Sequence, residues 1–379
     1  MAKKKKEKSF SSFVNNPIDF TLLITIFLLL SIGLVMVLSA SSPSALAQSG
    51  NSYAFFSKQL LFAILGILAM LFISKIDYRF YQKFYKHAWW ISLALLLLVL
   101  VAGKTVNNAK RWIYITETLS FQPSEVVKIL MIVFYAGFLS KNRDELGSFI
   151  KGWVKNLIPL GIIIAFLVVE PHLSASIVII GVTVVMMVIA GCKLWQILVP
   201  GAVAVPFIGI AITNIPRFAH ATKRITTFLD PWKDATGDGW QVIQSLYAIG
   251  SGGLFGAGLG ESKQKYLYIP EPHNDFIFSI LGEEVGFIGC AIVLILFAIF
   301  IWRGVLIAMK APDMFGSLIA VGITALVAIQ VIINVAVVTS SMPATGMPLP
   351  FFSYGGTALF ILLCEMGILL NISRASAKS

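Results

Sequence analysis

Ten apolar stretches recur along the chain and set its fold class. They fall at roughly residues 20 to 38, 55 to 73, 88 to 102, 126 to 139, 154 to 169, 173 to 191, 195 to 214, 276 to 301, 316 to 338 and 356 to 372. A helix needs about 20 apolar residues to cross the hydrocarbon of a bilayer, so each stretch reads as one span. The fourth is short unless Ser124 to Lys128 also enters the membrane. Of 379 residues, 58% are hydrophobic and only 12% are charged, about half the charged fraction of a soluble chain. One soluble core cannot hide so much apolar side chain. The expected fold is an all-α integral membrane protein over 17–373 with about ten transmembrane helices, a basic tail at 1–16 and a short tail at 374–379. A soluble ligand-binding domain has no room.

Charge gives the orientation. With the N-terminus inside, one set of segments comprises Lys3 to Lys8, Lys75 to Lys86, Lys141 to Lys155, Lys193, Arg303 to Lys310 and the C-terminal tail. It holds 18 of the 29 basic residues. The opposite short loops hold Lys104, Lys110 and Arg111, with Lys58 at a span edge. Both termini are therefore expected in the cytoplasm, and a large loop between the seventh and eighth spans, 215–275, outside. The Lys-rich start followed by Ala45-Leu46-Ala47 imitates a signal peptide. The run from Phe20 is too long for a signal core and a further span follows, so the first helix reads as uncleaved. The tail lysines read as topogenic charge, with anionic membrane lipids as the alternative contact. A net charge of +11 spread over the loops does not point to nucleic acid. Three cysteines in or beside apolar runs make neither a disulfide framework nor a metal site.

In so apolar a chain, polar residues at membrane depth or gathered in one outer loop are the functional candidates, because burying them unpaired is costly. Asn107-Asn108-Ala109-Lys110-Arg111-Trp112 precedes Gln122-Pro123-Ser124-Glu125, and Lys128 follows. Pro123 suits a first helical turn, and Glu125 and Lys128 share a helix face at i,i+3. They make either a structural ion pair or the wall of an outward-facing cavity. Lys223-Arg224, Asp230-Pro231-Trp232 and Gln241 lead to six glycines between Gly250 and Gly260, which fit a phosphate cradle or a plain hinge. Pro270-Glu271-Pro272-His273-Asn274-Asp275 holds two prolines that favour extended backbone and delivers Asp275 to a helix mouth. There Asp275 is either an N-cap or a partly desolvated general base. Glu283 and Glu284 follow within the span and need partners. The uncharged, Pro- and Gly-rich stretch Thr339 to Gly356 reads as a loop folded back toward the membrane for packing. His172, His220 and His273 match no zinc spacing.

These motifs, in this order, resemble the SEDS family (shape, elongation, division and sporulation), over nearly all of residues 20 to 373. Arg111-Trp112 with Gln122-Pro123-Ser124-Glu125 and Lys128, Lys223-Arg224 with Asp230-Pro231-Trp232, Pro270 to Phe276 with Gly282-Glu283-Glu284, and Pro348-Leu349-Pro350 with Ser353-Tyr354-Gly355-Gly356 carry the likeness. Ser39-Ala40-Ser41-Ser42 is more like the division and sporulation branch, which is FtsW-like, than the elongation branch. Asn108 stands where the family usually has glycine, and Glu170-Pro171-His172-Leu173-Ser174 replaces the commoner Gln-Pro-Asp-Leu-Gly.

The resemblance implies a peptidoglycan polymerase at the bacterial plasma membrane, at the division septum, acting on lipid II. The reaction would join the GlcNAc 4-hydroxyl to the anomeric carbon of MurNAc, turning an α-linked donor into a β-1,4 strand by one inverting displacement. It implies Asp275 as the catalytic base and Arg111, Trp112, Glu125, Lys128, Lys223, Arg224, Glu271 and His273 as substrate-binding residues. A divalent cation (Mg2+ or Mn2+) could join the basic residues on the diphosphates. Glu125 and Lys128 would wall the cavity that positions Asp275. The expected partners are a class B penicillin-binding protein, a transpeptidase, and other division proteins. Two other classes stay open: a flippase that carries lipid II across the membrane, and a non-catalytic divisome scaffold.

Overall fold

A helix that ends in lipid must still pair its terminal backbone groups, and the sequence supplies the caps. In the computed structural model, which describes residues 17–376 except 107–108, 115–119, 149–151, 153, 194, 197–198, 200–218, 238 and 267, α1 (Phe20–Ser49) starts at Asp19. The Asp19 carboxylate accepts from the Leu22 amide at 2.9 Å, and Gly50 closes the other end at φ 69. α2 (Ala54–Ile73) and α3 (Tyr85–Ala102) follow, and α4 (Pro123–Lys141) opens with Pro123 in its first turn. Ser124 to Lys128 are thus part of that span, which removes the shortness of the fourth apolar stretch. After α5 (Lys155–Val169) and α6 (Leu173–Ala190), the segment before α9 contributes the short helices α7 (Ala219–Leu229) and α8 (Trp240–Gly252). The chain ends with α9 (Ile277–Met309), α10 (Met314–Val338), capped by the Asp313 carboxylate, and α11 (Gly356–Ser376).

Among the described residues, eight of these helices are long and apolar enough to cross a membrane, and α5 is a shorter apolar helix. The protein is therefore an all-α, multi-pass membrane protein. Nine of the ten apolar stretches correspond to helices; the seventh, 195 to 214, lies almost wholly outside the described residues. α11 lies along α2, α3 along α4, and α9 contacts both α1 and α10. Phe297, Phe300, Phe315, Phe352 and Tyr135 fill the interior.

Two local features depart from the helical expectation. Between α3 and α4 stands a small antiparallel sheet, β1 (Lys104–Val106), β2 (Ala109–Tyr114) and β3 (Ser120–Phe121), with Val106 paired to Ala109 and Ile113 to Phe121. The second is a break in α9 at Gly286, whose φ of 69 no helix tolerates. In an unbroken helix the amides of 287 and 288 would bond the carbonyls of 283 and 284. Here the glycine loop is spliced between them. Phe287 and Ile288 donate to Gly253 and Leu254 at 2.9 and 3.1 Å, while Glu283 and Glu284 accept from Ala257 and Gly258 at 2.9 and 3.0 Å. Only glycine permits this approach: a Cβ on Gly286 would sit 2.3 Å from the Gly256 nitrogen, and one on Gly256 2.2 Å from the Glu284 oxygen. The six-glycine run is thus a backbone splice rather than a hinge, and its amides satisfy the protein's own carbonyls rather than a phosphate.

Candidate functional site

The approach to α9 is a turn, not the extended segment that two prolines suggest. Glu271 sits at φ 47 and its carbonyl accepts from the Asn274 amide at 3.0 Å. Three successive carbonyls then meet three donors: His273 accepts from the Tyr354 amide (2.8 Å), Asn274 from the Ser353 hydroxyl (2.6 Å) and Asp275 from the Asn334 side chain (2.7 Å). Donors on α10 and on the loop before α11 override the local preference. The result fixes the Asp275 backbone while leaving its carboxylate free of the helix end, because Phe276 occupies the cap position and makes no side-chain cap bond. Asp275 is therefore not an N-cap.

That carboxylate faces a cavity of about 270 Å³ that Lys223 and Arg224 on α7, Gln241 on α8, and Met342 and Gly346 also line. It is half-buried, and no ion pair holds it among the described residues. Burial raises its pKa to about 6, the neighbouring Glu271 adds to the rise, and Arg224 and a backbone hydrogen bond oppose it. A carboxylate in that range is mostly ionised at neutral pH yet basic enough to take a proton.

Arg111, on β2, does not line that cavity but lies within electrostatic reach of Arg224. Its guanidinium donates to the Pro171 carbonyl, and its Nε is buried without a partner. Burial and then the nearby Arg224 lower its pKa, while Glu170 opposes them. Two guanidiniums near enough for each to disfavour the other's charge would be relieved by an anion that both can reach. Beneath Arg111, Glu170 and His172 are both buried. Burial pushes the Glu170 carboxyl up to about 8, and pulls the His172 ring down to about 3, helped by Arg111 and Lys128. His172 meets the Gln122 amide at 3.3 Å.

Other expected residues lie elsewhere. Glu125 and Lys128 do form the ion pair their spacing suggests, at 2.8 Å. They line a different, smaller cavity of about 50 Å³, with Gln330, Tyr354 and Glu365, so they do not wall the space around Asp275. The reason is the loop between α10 and α11, which runs between the two spaces: Met342 and Gly346 face the first, and Pro348 to Phe351 the second. His273 is turned into packing, its ring stacked on Phe55 at 4.7 Å and edge-on to Tyr354 at 5.6 Å. Burial pulls its pKa down to about 4, so it is neutral. Trp112 is half-buried on β2, paired with Lys104, and Glu271 is exposed and bonded to Asn274 at 2.7 Å. The side chain of His220 lies outside the described residues. No group of three or more His, Cys, Asp and Glu gathers as metal ligands among the described residues.

The residue sequence reasoning most undervalued is Asn334. Its amide bridges the carbonyls of Asp275 and Met347, both at 2.7 Å, and so ties Asp275 to the loop between the cavities. An amide in an apolar helix was the available signal. Lys265 was missed as well. It is buried and bonds Glu284 at 2.9 Å, Ser39 at 3.1 Å and the Gly260 carbonyl at 2.6 Å, while Glu283 accepts from the Ser262 hydroxyl at 2.5 Å and the Lys263 amide at 2.9 Å. The need of an acidic pair for a cation was the signal there.

Comparison with known proteins follows the same outline. The FtsW, RodA and SpoVE family model, described as cell cycle protein, matches residues 20–378. Stage V sporulation protein E of Bacillus subtilis (strain 168) is 45% identical over 364 residues, covering 94% of this chain and 97% of its own. A protein of Trichlorobacter lovleyi named "Probable peptidoglycan glycosyltransferase FtsW" is 42% identical over 357 residues, 94% and 93% of the two chains. Among solved structures, a chain of a peptidoglycan synthase complex that coordinates polymerization and crosslinking superposes with a TM-score of 0.79 at 26% identity, covering 96% and 99%. The rod shape determining protein RodA of Thermus thermophilus gives 0.70 at 24%, covering 94% and 97%, and so shares the fold.

Proposed function

The chain belongs to the FtsW, RodA and SpoVE family, and from that premise we propose that it is a peptidoglycan glycosyltransferase that polymerises lipid II during septal cell-wall synthesis. The observation that carries the reading is a half-buried carboxylate, Asp275, left without an ion pair in a cavity that Lys223 and Arg224 also line. In this reaction Asp275 accepts the proton of the GlcNAc 4-hydroxyl as that oxygen attacks the anomeric carbon of MurNAc. The bond from that carbon to the diphosphate breaks, and the lipid diphosphate leaves on the opposite face. One base suffices for a single inverting displacement, because diphosphate departs as an anion and needs charge neutralisation more than protonation. Lys223, Arg224 and Arg111 are the groups assigned to that charge.

Magnesium and manganese in such sites lean on one or two carboxylates and substrate phosphates. Asp275 lines the cavity as its one carboxylate among the described residues, so it could hold such an ion only together with the substrate's diphosphate, whose charge the ion would help to neutralise. No step here is drawn through one. The flippase reading draws on Lys128, Glu284 and Glu365, yet the space that Lys128 and Glu365 share is about 50 Å³, far below the several hundred Å³ of ligand pockets, and Glu284 is paired with Lys265 elsewhere. A class B penicillin-binding protein remains the proposed partner, in keeping with the synthase complex that the fold matches.

The test is polymerisation of purified lipid II by the protein, alone and with that transpeptidase. Wild type forms glycan strands and Asp275→Asn forms none. Wild-type activity in the variant sinks the assignment.

A further inference from the structure

The glycine loop exposes side chains that a water-facing loop would not. Leu254, Phe255 and Leu259 are 62%, 79% and 63% exposed. The splice at Gly286 joins this loop to the apolar outer stripe of α9, where Phe287, Ile288, Ile292 and Ile295 are also exposed. The two surfaces are continuous.

Helix lengths say where that surface lies. Below the break, Phe287 to Met309 makes about 34 Å of helix at 1.5 Å per residue, enough to cross roughly 30 Å of hydrocarbon without the turns above it. An independent ruler agrees. α1 and α9 are joined by polar contacts at two levels: Asp19 pairs with Arg303 at one, and Ser39 bonds Glu284 at 2.6 Å, with Lys265, at the other. From Asp19 to Ser39 is about 30 Å of helix, the thickness of the hydrocarbon core. Both charged levels then sit at the membrane's edges, and Glu283 and Glu284 lie at the outer boundary rather than within the span. Around this level Trp232, Tyr247, Tyr266 and Tyr268 are all half or more exposed, as aromatic residues are at the headgroup zone.

We propose that the 253–260 loop is seated in the outer leaflet, with Leu254, Phe255 and Leu259 among the acyl chains, and that the hydrocarbon boundary runs at the Lys265 and Glu284 pair. The half-helix from Ile277 to Val285 then stands in the headgroup zone, on the water side of that pair. On the reading given under Proposed function, this sets the Asp275 cavity at the depth of a diphosphate whose prenyl tail stays in lipid.

Depth can be read without any polymerase activity, so its failure is separate from that of the reaction. Spin labels at Phe255→Cys and Leu259→Cys, in the full chain with Cys192, Cys290 and Cys364 replaced by alanine, are measured in phosphatidylethanolamine and phosphatidylglycerol liposomes. The ratio of oxygen to nickel-chelate collisions should fall within about twofold of that at Ile292→Cys and exceed that at Lys233→Cys by fivefold or more. A ratio like that at Lys233→Cys overturns the proposal. So does shielding that appears only at high protein density or after adding the transpeptidase, which would make the cover a second copy or the partner. If the cysteine-free chain does not fold, the wild-type protein is photolysed with a phospholipid bearing a mid-chain diazirine. Adducts on the Leu254 to Leu259 peptide support the seating; adducts on α9 without any on that peptide overturn it.

Discussion

Two acidic sites flank one half-helix, and they are treated in opposite ways. At its inner end Glu283 is held by the Ser262 hydroxyl and the Lys263 amide, and Glu284 by Ser39 and the buried Lys265 through one oxygen, its Oε2 being buried without a hydrogen bond. At its outer end Asp275 has its carbonyl bonded to Asn334, but no cation pairs with its carboxylate among the described residues. Its pKa is raised to about 6. A buried carboxylate with a cation of its own holds structure; one without an ion pair, beside a cavity and two cations, is poised to gain a proton. Nearness to a membrane thus does not by itself make a carboxylate catalytic. What its neighbours leave undone is what singles out Asp275 as the proposed base.

The comparison can be broken most sharply by neutralising each acid. Asp275→Asn should lose roughly 10²- to 10⁴-fold in polymerisation, the range general-base catalysis supplies. It should melt no lower than wild type, because ionising a carboxyl whose pKa is raised by burial costs stability at neutral pH. Glu284→Gln should show the reverse priority. It strands Lys265, and loss of one partner of a buried pair costs about 3 to 5 kcal/mol, read as a lower Tm and a poorer yield. The double variant Lys265→Met with Glu284→Leu should recover most of that loss. If Asp275→Asn unfolds and Glu284→Gln does not, the division of labour is wrong.

How far this contrast is legible in the sequence depends on which interaction decides each element. Nine helices follow from apolar run length, since lipid leaves the backbone no other partner. Asp275 stands out because a carboxylate beside a span is rare. The sheet before α4 was not among the expectations, because its strands are only two to six residues long and sit between two apolar helices. Three facts were not legible, because contacts distant in sequence decide them. The Pro270 to Asp275 segment turns because Asn334, Ser353 and Tyr354 capture its carbonyls. Glu125 and Lys128 are cut off from Asp275 by the loop after α10. The glycine run closes the break in α9 instead of cradling a ligand.

Smaller effects sharpen the outline of the site. Arg224→Gln removes one of the cations that share the cavity and should lower kcat/KM by about 10- to 100-fold, in line with the loss of a single charge-stabilising donor, with little change in Tm. His273→Phe keeps the stacking on Phe55 and should retain activity within threefold; a loss beyond thirtyfold would place the imidazole in the reaction instead of in the packing.

The most direct test of the central claim is the pH profile of lipid II polymerisation for the wild-type protein with its transpeptidase. Asp275 works as a base only when ionised, and its raised pKa of about 6 places the loss on the acid side. The account predicts that kcat/KM is flat near neutrality and falls about tenfold per unit below pH 6. A profile that stays flat down to the ordinary carboxylate range, near pH 4, would contradict it.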